Sequence, residues 1–288
     1  MTDSPALWKA TVNVSKDRTS DIAAVLQLAP PLPQAVLIEE DPFGPDATVE
    51  ALYQDAPDEA FLAALTGLPV NVAPLPDQDW IRQSQEGLPP VRAGRFFVYG
   101  AHDAGALPAG LITIRIEAGL AFGTGHHETT ALCLRALSEI HKSRHAEKLR
   151  ILDLGCGTGV LAIAAAKLWR MPVLATDIDP VAIEVARENA HANEVVPLVH
   201  AVTADGMTHP AIRTRGPFDL VCANILAGPL TKLAPDVSAA LAPRGIAILS
   251  GLLRNQENLV LSFYRAQGLV FRRAFRDGPW SALVLERS

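Results

Sequence analysis

The feature that most constrains this chain is the run Ile151-Leu152-Asp153-Leu154-Gly155-Cys156-Gly157-Thr158-Gly159. An apolar strand passes directly into glycines and then into the helix-forming segment Val160 to Leu168. Glycines at such a junction let the backbone turn sharply and approach a ligand, and the helix start offers unpaired N–H groups. Beyond it, apolar strands at Pro172 to Thr176, Phe218 to Ala223 and Gly245 to Gly251 alternate with helical segments at Pro180 to Ala192 and Leu230 to Leu241. Helical Thr129 to His141 precedes the series. Continuous apolar strands separated by amphipathic helices predict a mainly parallel α/β sheet covered on both faces. Val270 to Ala274 and Trp280 to Glu286 follow one another as strands and predict an antiparallel hairpin at the sheet edge.

The N-terminal part reads differently. Strand-like Leu7 to Val14 leads to helical Thr19 to Leu28, with Thr19 or Ser20 as its cap, and Pro30, Pro31 and Pro33 end that helix. Strands Ala35 to Glu40 and Thr48 to Tyr53 flank a turn with Pro42, Gly44 and Pro45. Helix Pro57 to Leu65 and strand Pro69 to Leu75 follow. The order β-α-β-β-α-β predicts a small α+β domain of ferredoxin-like type. The expected organisation is residues 1–79 as this domain, 80–94 as a linker broken by Gly87, Pro89, Pro90 and Gly94, and 95–288 as the α/β domain. Short strands at Arg95 to Tyr99 and Leu111 to Ile116 open the second domain.

Charge separates the two parts. Residues 1–79 hold 3 Lys/Arg against 13 Asp/Glu, a net of −10, and the remainder holds 22 against 18, a net of +4. An acidic module attracts a basic partner and repels nucleic acid. No apolar run approaches the roughly 18–20 residues of a membrane span, and nothing near the start resembles a signal peptide, so a cytoplasmic protein is expected. Cys133, Cys156 and Cys222 are widely spaced, which offers neither a disulfide framework nor a zinc site. His126, His127 and Glu128 are adjacent on a loop, where side chains diverge, so no metal is expected there.

The glycine spacing narrows the ligand. A dinucleotide fingerprint would place its third glycine at position 160, which is Val160; here it falls at Gly159. No lysine follows in the loop, which argues against a P-loop. Asp177 ends the next strand, where a carboxylate can accept hydrogen bonds from two ribose hydroxyls, while Asp179 suits the cap of the helix beginning at Pro180. Asp205, in Ala204-Asp205-Gly206 after the third strand, is placed either to take an adenine amine or simply to make a turn.

Together these features resemble the class I, Rossmann-like S-adenosylmethionine methyltransferases. Two further motifs, Ala121-Phe122-Gly123-Thr124-Gly125-His126-His127-Glu128-Thr129-Thr130 and Cys222-Ala223-Asn224-Ile225-Leu226-Ala227-Gly228-Pro229-Leu230, closely resemble the PrmA family, which methylates amino groups of large-subunit ribosomal protein L-eleven. The resemblance covers residues 95–288 with specific motifs and, further upstream, rests on length, element order and Asp79-Trp80. It implies S-adenosylmethionine as cofactor, with Thr130, Gly155, Asp177 and Asn224 at cofactor-contacting positions and Gly157 and Gly159 in the same loop. It also implies that the loop from Phe122 to Thr130 closes over the methionine end, and that an N-terminal module grips the protein substrate. Asn224 sits where amino-methylating relatives keep Asn or Asp before a Pro-Pro-aromatic run. Ile225-Leu226 replaces the prolines here and no aromatic follows, which speaks against a base-flipping nucleic-acid methylase. Phe122 is the candidate for shaping a lysine channel, and Trp280 is assigned to packing. A monomer is expected. Three other readings compete: a lysine methyltransferase of another protein, such as an electron-transfer flavoprotein subunit; a non-enzymatic cofactor-binding assembly factor; and, against the glycine spacing, a nicotinamide dehydrogenase.

Overall fold

A computed structural model describes residues 8–31, 33, 35–40, 46–53, 55–74, 90–100, 107–116, 127–144 and 148–288. The chain divides into two compact units, Met1–Gly87 and Leu88–Ser288.

In the first unit, strands β1 (Trp8–Ser15), β2 (Ala35–Glu40), β3 (Asp46–Tyr53) and β4 (Asn71–Pro74) form one antiparallel sheet in the order β2-β3-β1-β4. Helices α1 (Thr19–Leu28) and α2 (Glu59–Thr66) connect them in the split βαβ arrangement expected from the sequence. The core is built by period-two alternation: Ala10, Val12 and Val14 of β1 and Val49 and Ala51 of β3 meet Ile22 and Leu26 of α1 and Leu62 of α2. Asp58 caps α2, accepting the Phe61 N–H at 3.0 Å. Thr19 does not cap the helix, and the Ser20 side chain lies outside the described residues. A 3₁₀ turn, Lys16–Arg18, runs straight into α1, and the Thr19 hydroxyl donates back to the Lys16 carbonyl at 2.9 Å, so the preceding turn takes the place of a side-chain cap.

The second unit opens with a three-stranded sheet, β5 (Val91–Ala93), β6 (Phe96–Tyr99) and β7 (Ile112–Arg115). β5 lies in the stretch read as linker; Gly94 and Arg95 turn it back antiparallel onto β6, a long-range consequence of packing against the following helix. The main sheet has the order β10-β9-β8-β11-β12-β14-β13. Its strands are β8 (Ile151–Leu154), β9 (Val173–Asp177), β10 (Val199–Thr203), β11 (Phe218–Asn224), β12 (Leu241–Leu253), β13 (Leu269–Asp277) and β14 (Trp280–Arg287). β8 to β12 are parallel and β13-β14 is the antiparallel edge hairpin expected from the sequence. Helices α3 (His127–Arg144), α4 (Val160–Trp169) and α5 (Pro180–Ala192) share one apolar cluster on one face, which also takes in Trp280. Helices α7 (Ala227–Ala240) and α8 (Glu257–Ala266) pack into a second cluster on the other, where Ile212 of the short α6 (Pro210–Arg215) is also buried.

The sequence reading assigned no element to α6 or α8. Both carry signals: Pro210 at the first helical position, and Glu257, Val260, Leu261 and Tyr264 buried at helical spacing. Among the described residues no helix is long and apolar enough to cross a membrane.

Candidate active site

Strand order reverses between β8 and β11, the point at which open α/β sheets form a crevice beyond the carboxyl ends of their strands. Four sequence-derived candidates converge there: Gly155 after β8, Asp177 at the end of β9, Asn224 at the end of β11 and Thr130 in the first turn of α3.

The glycine loop is held by backbone bonds to β9. The N–H groups of Gly155 and Cys156 both donate to the Thr176 carbonyl, at 2.8 and 2.9 Å, and Gly157 N–H donates to Asp177 Oδ2 at 2.8 Å. Asp177 Oδ1 accepts the Asp179 N–H at 3.0 Å, while Asp179 caps α5 through the Val181 N–H at 2.8 Å, the cap expected from the sequence. A carboxylate offers about four acceptor positions, so Asp177 keeps capacity beyond the two it uses here. From α5, buried Asn189 donates to the Thr158 carbonyl at 2.9 Å and clamps the far side of the loop. Gly155 is required sterically as well as by its φ of 69°: an added Cβ would lie closer than 3.0 Å to Ile225 Cγ2.

Gly159 occupies the N-cap position of α4 and has no side chain with which to cap it. Asp153, beneath the loop in β8, does so instead: its Oδ2 accepts the Ala162 N–H at 2.8 Å. Asp153 is 1% exposed and its Oδ1 has no partner among the described residues. Burial raises its pKa to about 7, Asp177 adds to the rise, and the Ala162 N–H opposes it. The sequence reading missed this role, although a lone acid inside the apolar strand Ile-Leu-Asp-Leu was the signal. Cys133, Cys156 and Cys222 are buried free thiols, and burial pushes all three up, Cys133 to about 12, so none is a thiolate nucleophile.

At the other wall, Asn224 Nδ2 donates to Thr130 Oγ1 at 3.2 Å. That bond leaves Thr130's own proton available and leaves Asn224 Oδ1 buried without a partner among the described residues. Leu226, two residues on, is 70% exposed. Asp205 makes its turn with its backbone carbonyl, which accepts the Thr208 hydroxyl at 2.9 Å, and its side chain is exposed. Phe122, with the rest of the loop to His126, lies outside the described residues.

These residues fit S-adenosylmethionine on three counts: a glycine turn that no side chain can replace, a strand-end carboxylate with spare acceptor capacity, and an orphaned amide oxygen opposite the turn. The sheet order with its terminal antiparallel hairpin, the glycine turn and the acid one strand away define a class I S-adenosylmethionine-dependent methyltransferase. A family model described as ribosomal protein L11 methyltransferase (PrmA) matches residues 35–288, and the chain belongs to that family. A ribosomal protein L11 methyltransferase of Mesorhizobium japonicum is 48% identical over 278 residues, 92% of this chain and 94% of the relative. One from Brucella suis is 51% identical over 212 residues, 74% of each chain. The crystal structure of a ribosomal protein L11 methylase from Lactobacillus delbrueckii superposes with a TM-score of 0.61 at 29% identity, covering 69% of this chain and 98% of that one. The flavoprotein-subunit, assembly-factor and dehydrogenase readings find no support in these relatives.

Proposed function

We propose that this chain methylates amino groups of ribosomal protein L11, on lysine side chains, the N-terminal amine or both. The observation that carries the reading is the Asn224–Thr130 pair, which holds a buried amide oxygen, without a partner among the described residues, beside the glycine turn. Asp177 takes the ribose hydroxyls, the Gly155, Gly157 and Gly159 backbone admits the cofactor closely, and Asp205 takes the adenine amine. Thr130 spends its oxygen on Asn224 and donates its proton to the cofactor's carboxylate end.

S-adenosylmethionine, when bound, supplies a methyl group already activated by its sulfonium, so no protein nucleophile is called for. The chain's own task is to select a neutral amine and aim it. A free lysine has a pKa of about 10.4, so the amine must be desolvated to be neutral near physiological pH. Asn224 Oδ1 accepts one amine N–H and turns the nitrogen lone pair toward the cofactor. A carboxamide cannot take the proton, and Asp153 is sealed beneath the loop, so the site selects the neutral form rather than deprotonating it. Ile225 and Leu226 wall the entry with apolar surface. The acidic module at 1–79 docks the basic ribosomal protein by charge complementarity. The enzyme acts as a cytoplasmic monomer, on protein rather than nucleic acid.

The test is transfer of labelled methyl from S-adenosylmethionine into extract of cells lacking this enzyme, with mass spectrometry of the labelled band. Label in ribosomal protein L11 at amino groups is expected; label confined to another protein overturns the substrate.

A further inference from the structure

Asn224 is followed by Ile225 and Leu226, neither of which locks its own φ, so the orientation of Asn224 has to be held by what packs and bonds around it. The holding element is in β12. Leu249 pairs with Leu283 and Leu252 with Ser281, so β12 contains one residue more than β14 between those pairs, a β-bulge at Ser250–Gly251. Bulges bend a strand and re-aim what it carries.

Both bulge residues act on the Asn224 segment. Ser250 lies beside Asn224 in the parallel ladder, and its carbonyl accepts the Ile225 N–H at 3.1 Å. Its hydroxyl is fully buried and donates to the Ser281 carbonyl at 3.0 Å, with the Thr129 carbonyl 3.4 Å away. Thr129 adjoins Thr130, which receives the Asn224 amide. Ser250 therefore ties the Asn224 segment to β14, by its carbonyl on the Ile225 N–H and its hydroxyl on the Ser281 carbonyl, with the backbone next to Thr130 close by. Gly251 completes the seat. Its φ is 82°, and an added Cβ would lie 2.7 Å from Ile225 C and 2.9 Å from Ile225 N, so the Ile225 peptide lies directly on a backbone with no side chain. The Ile225 side chain, in turn, presses on Gly155 of the glycine turn.

We propose that the Ser250–Gly251 bulge is the positioning device of the methyl-transfer site: it sets Asn224 Oδ1 in register with the glycine turn. Ser250 and Gly251 are positioning residues that act through Asn224 and touch neither amine nor cofactor. The inference rests on Asn224 orienting the acceptor amine, so the experiment separates the two ideas.

Ser250→Ala, Gly251→Ala, Asn224→Ala and the two doubles with Asn224→Ala would be assayed in the full chain for kcat, KM for the protein substrate, and the S-adenosylhomocysteine dissociation constant. Misplacement of a positioned group costs rate rather than binding, so Ser250→Ala should lower kcat about tenfold and Gly251→Ala about a hundredfold, with KM unchanged. Ser250→Ala should leave the dissociation constant unchanged, which also reports that the site has folded. Each double should be no slower than Asn224→Ala alone, because a device acting through Asn224 has nothing left to position. Unchanged kcat in Ser250→Ala, loss of ligand binding in that variant, or losses that multiply with Asn224→Ala would each overturn the positioning role. A wild-type kcat in Asn224→Ala would instead sink the assignment of Asn224 itself.

Discussion

Replacing Asp153 by Asn should make the larger unit more stable than the wild type, and increasingly so as pH rises. Asp153 is sealed under the glycine turn with one oxygen on the Ala162 N–H and the other without a partner among the described residues. Burial holds its pKa at about 7 in the folded chain, against 3.8 for an exposed aspartate. Between those values the folded state keeps a proton that the unfolded chain has released, so stability falls as pH rises through the interval and levels off above about 7. Asn is shaped like the protonated acid and does not titrate. The variant's advantage should therefore grow by roughly 2.5 kcal/mol between about pH 5 and about pH 8, from 1.36 kcal/mol per pKa unit over the part of the shift spanned. At 1% exposure, solvent screening does little to reduce this. Urea unfolding across that pH range, with hydrogen exchange of the Ile151–Leu154 amides, reads the unit that contains Asp153, and subtracting wild type from variant cancels every other titrating group. A difference that stays constant from pH 5 to pH 8 would refute the burial argument.

Asp177→Ala should weaken cofactor binding by about 1.5–3 kcal/mol, the worth of hydrogen bonds to a charged group; calorimetric titration showing wild-type affinity would assign the ribose to another residue. The rate at limiting protein substrate should rise about tenfold per pH unit below the pKa of the target amine, since the site recruits only the neutral form. A flat profile there would point to a proton acceptor in the site. Deleting residues 1–79 should spare cofactor binding and abolish methylation of ribosomal protein L11. Full modification by the truncated chain would remove the docking role of the acidic module.

Much of the architecture was legible because its determinants are local. Strand-to-glycine-to-helix at Ile151–Val160 depends on chirality and φ at neighbouring residues, and the Asp179 cap on a side chain two residues from its donor. The β-α-β-β-α-β order and the final hairpin followed from hydrophobic periodicity, which each segment carries by itself. Glycine spacing separated this turn from a dinucleotide turn, and the absence of a lysine separated it from a P-loop turn. What stayed hidden was decided by register between distant strands. Thr130 meets Asn224 across 94 residues and Ser250 meets Thr129 across 121, and nothing near any of them specifies the other. Val91–Ala93 is a strand because it pairs with β6 and lies against α3, partners that nothing within its three residues specifies. Asp153 was readable as an oddity in an apolar strand, but whether it would be paired, ionised or sealed depended on where α4 begins above it. The sequence thus determined which ligand chemistry the chain is built around. The tertiary structure decided how the acceptor group is aimed, because a bulge in β12 and the end of β11 become neighbours only when the sheet closes its register.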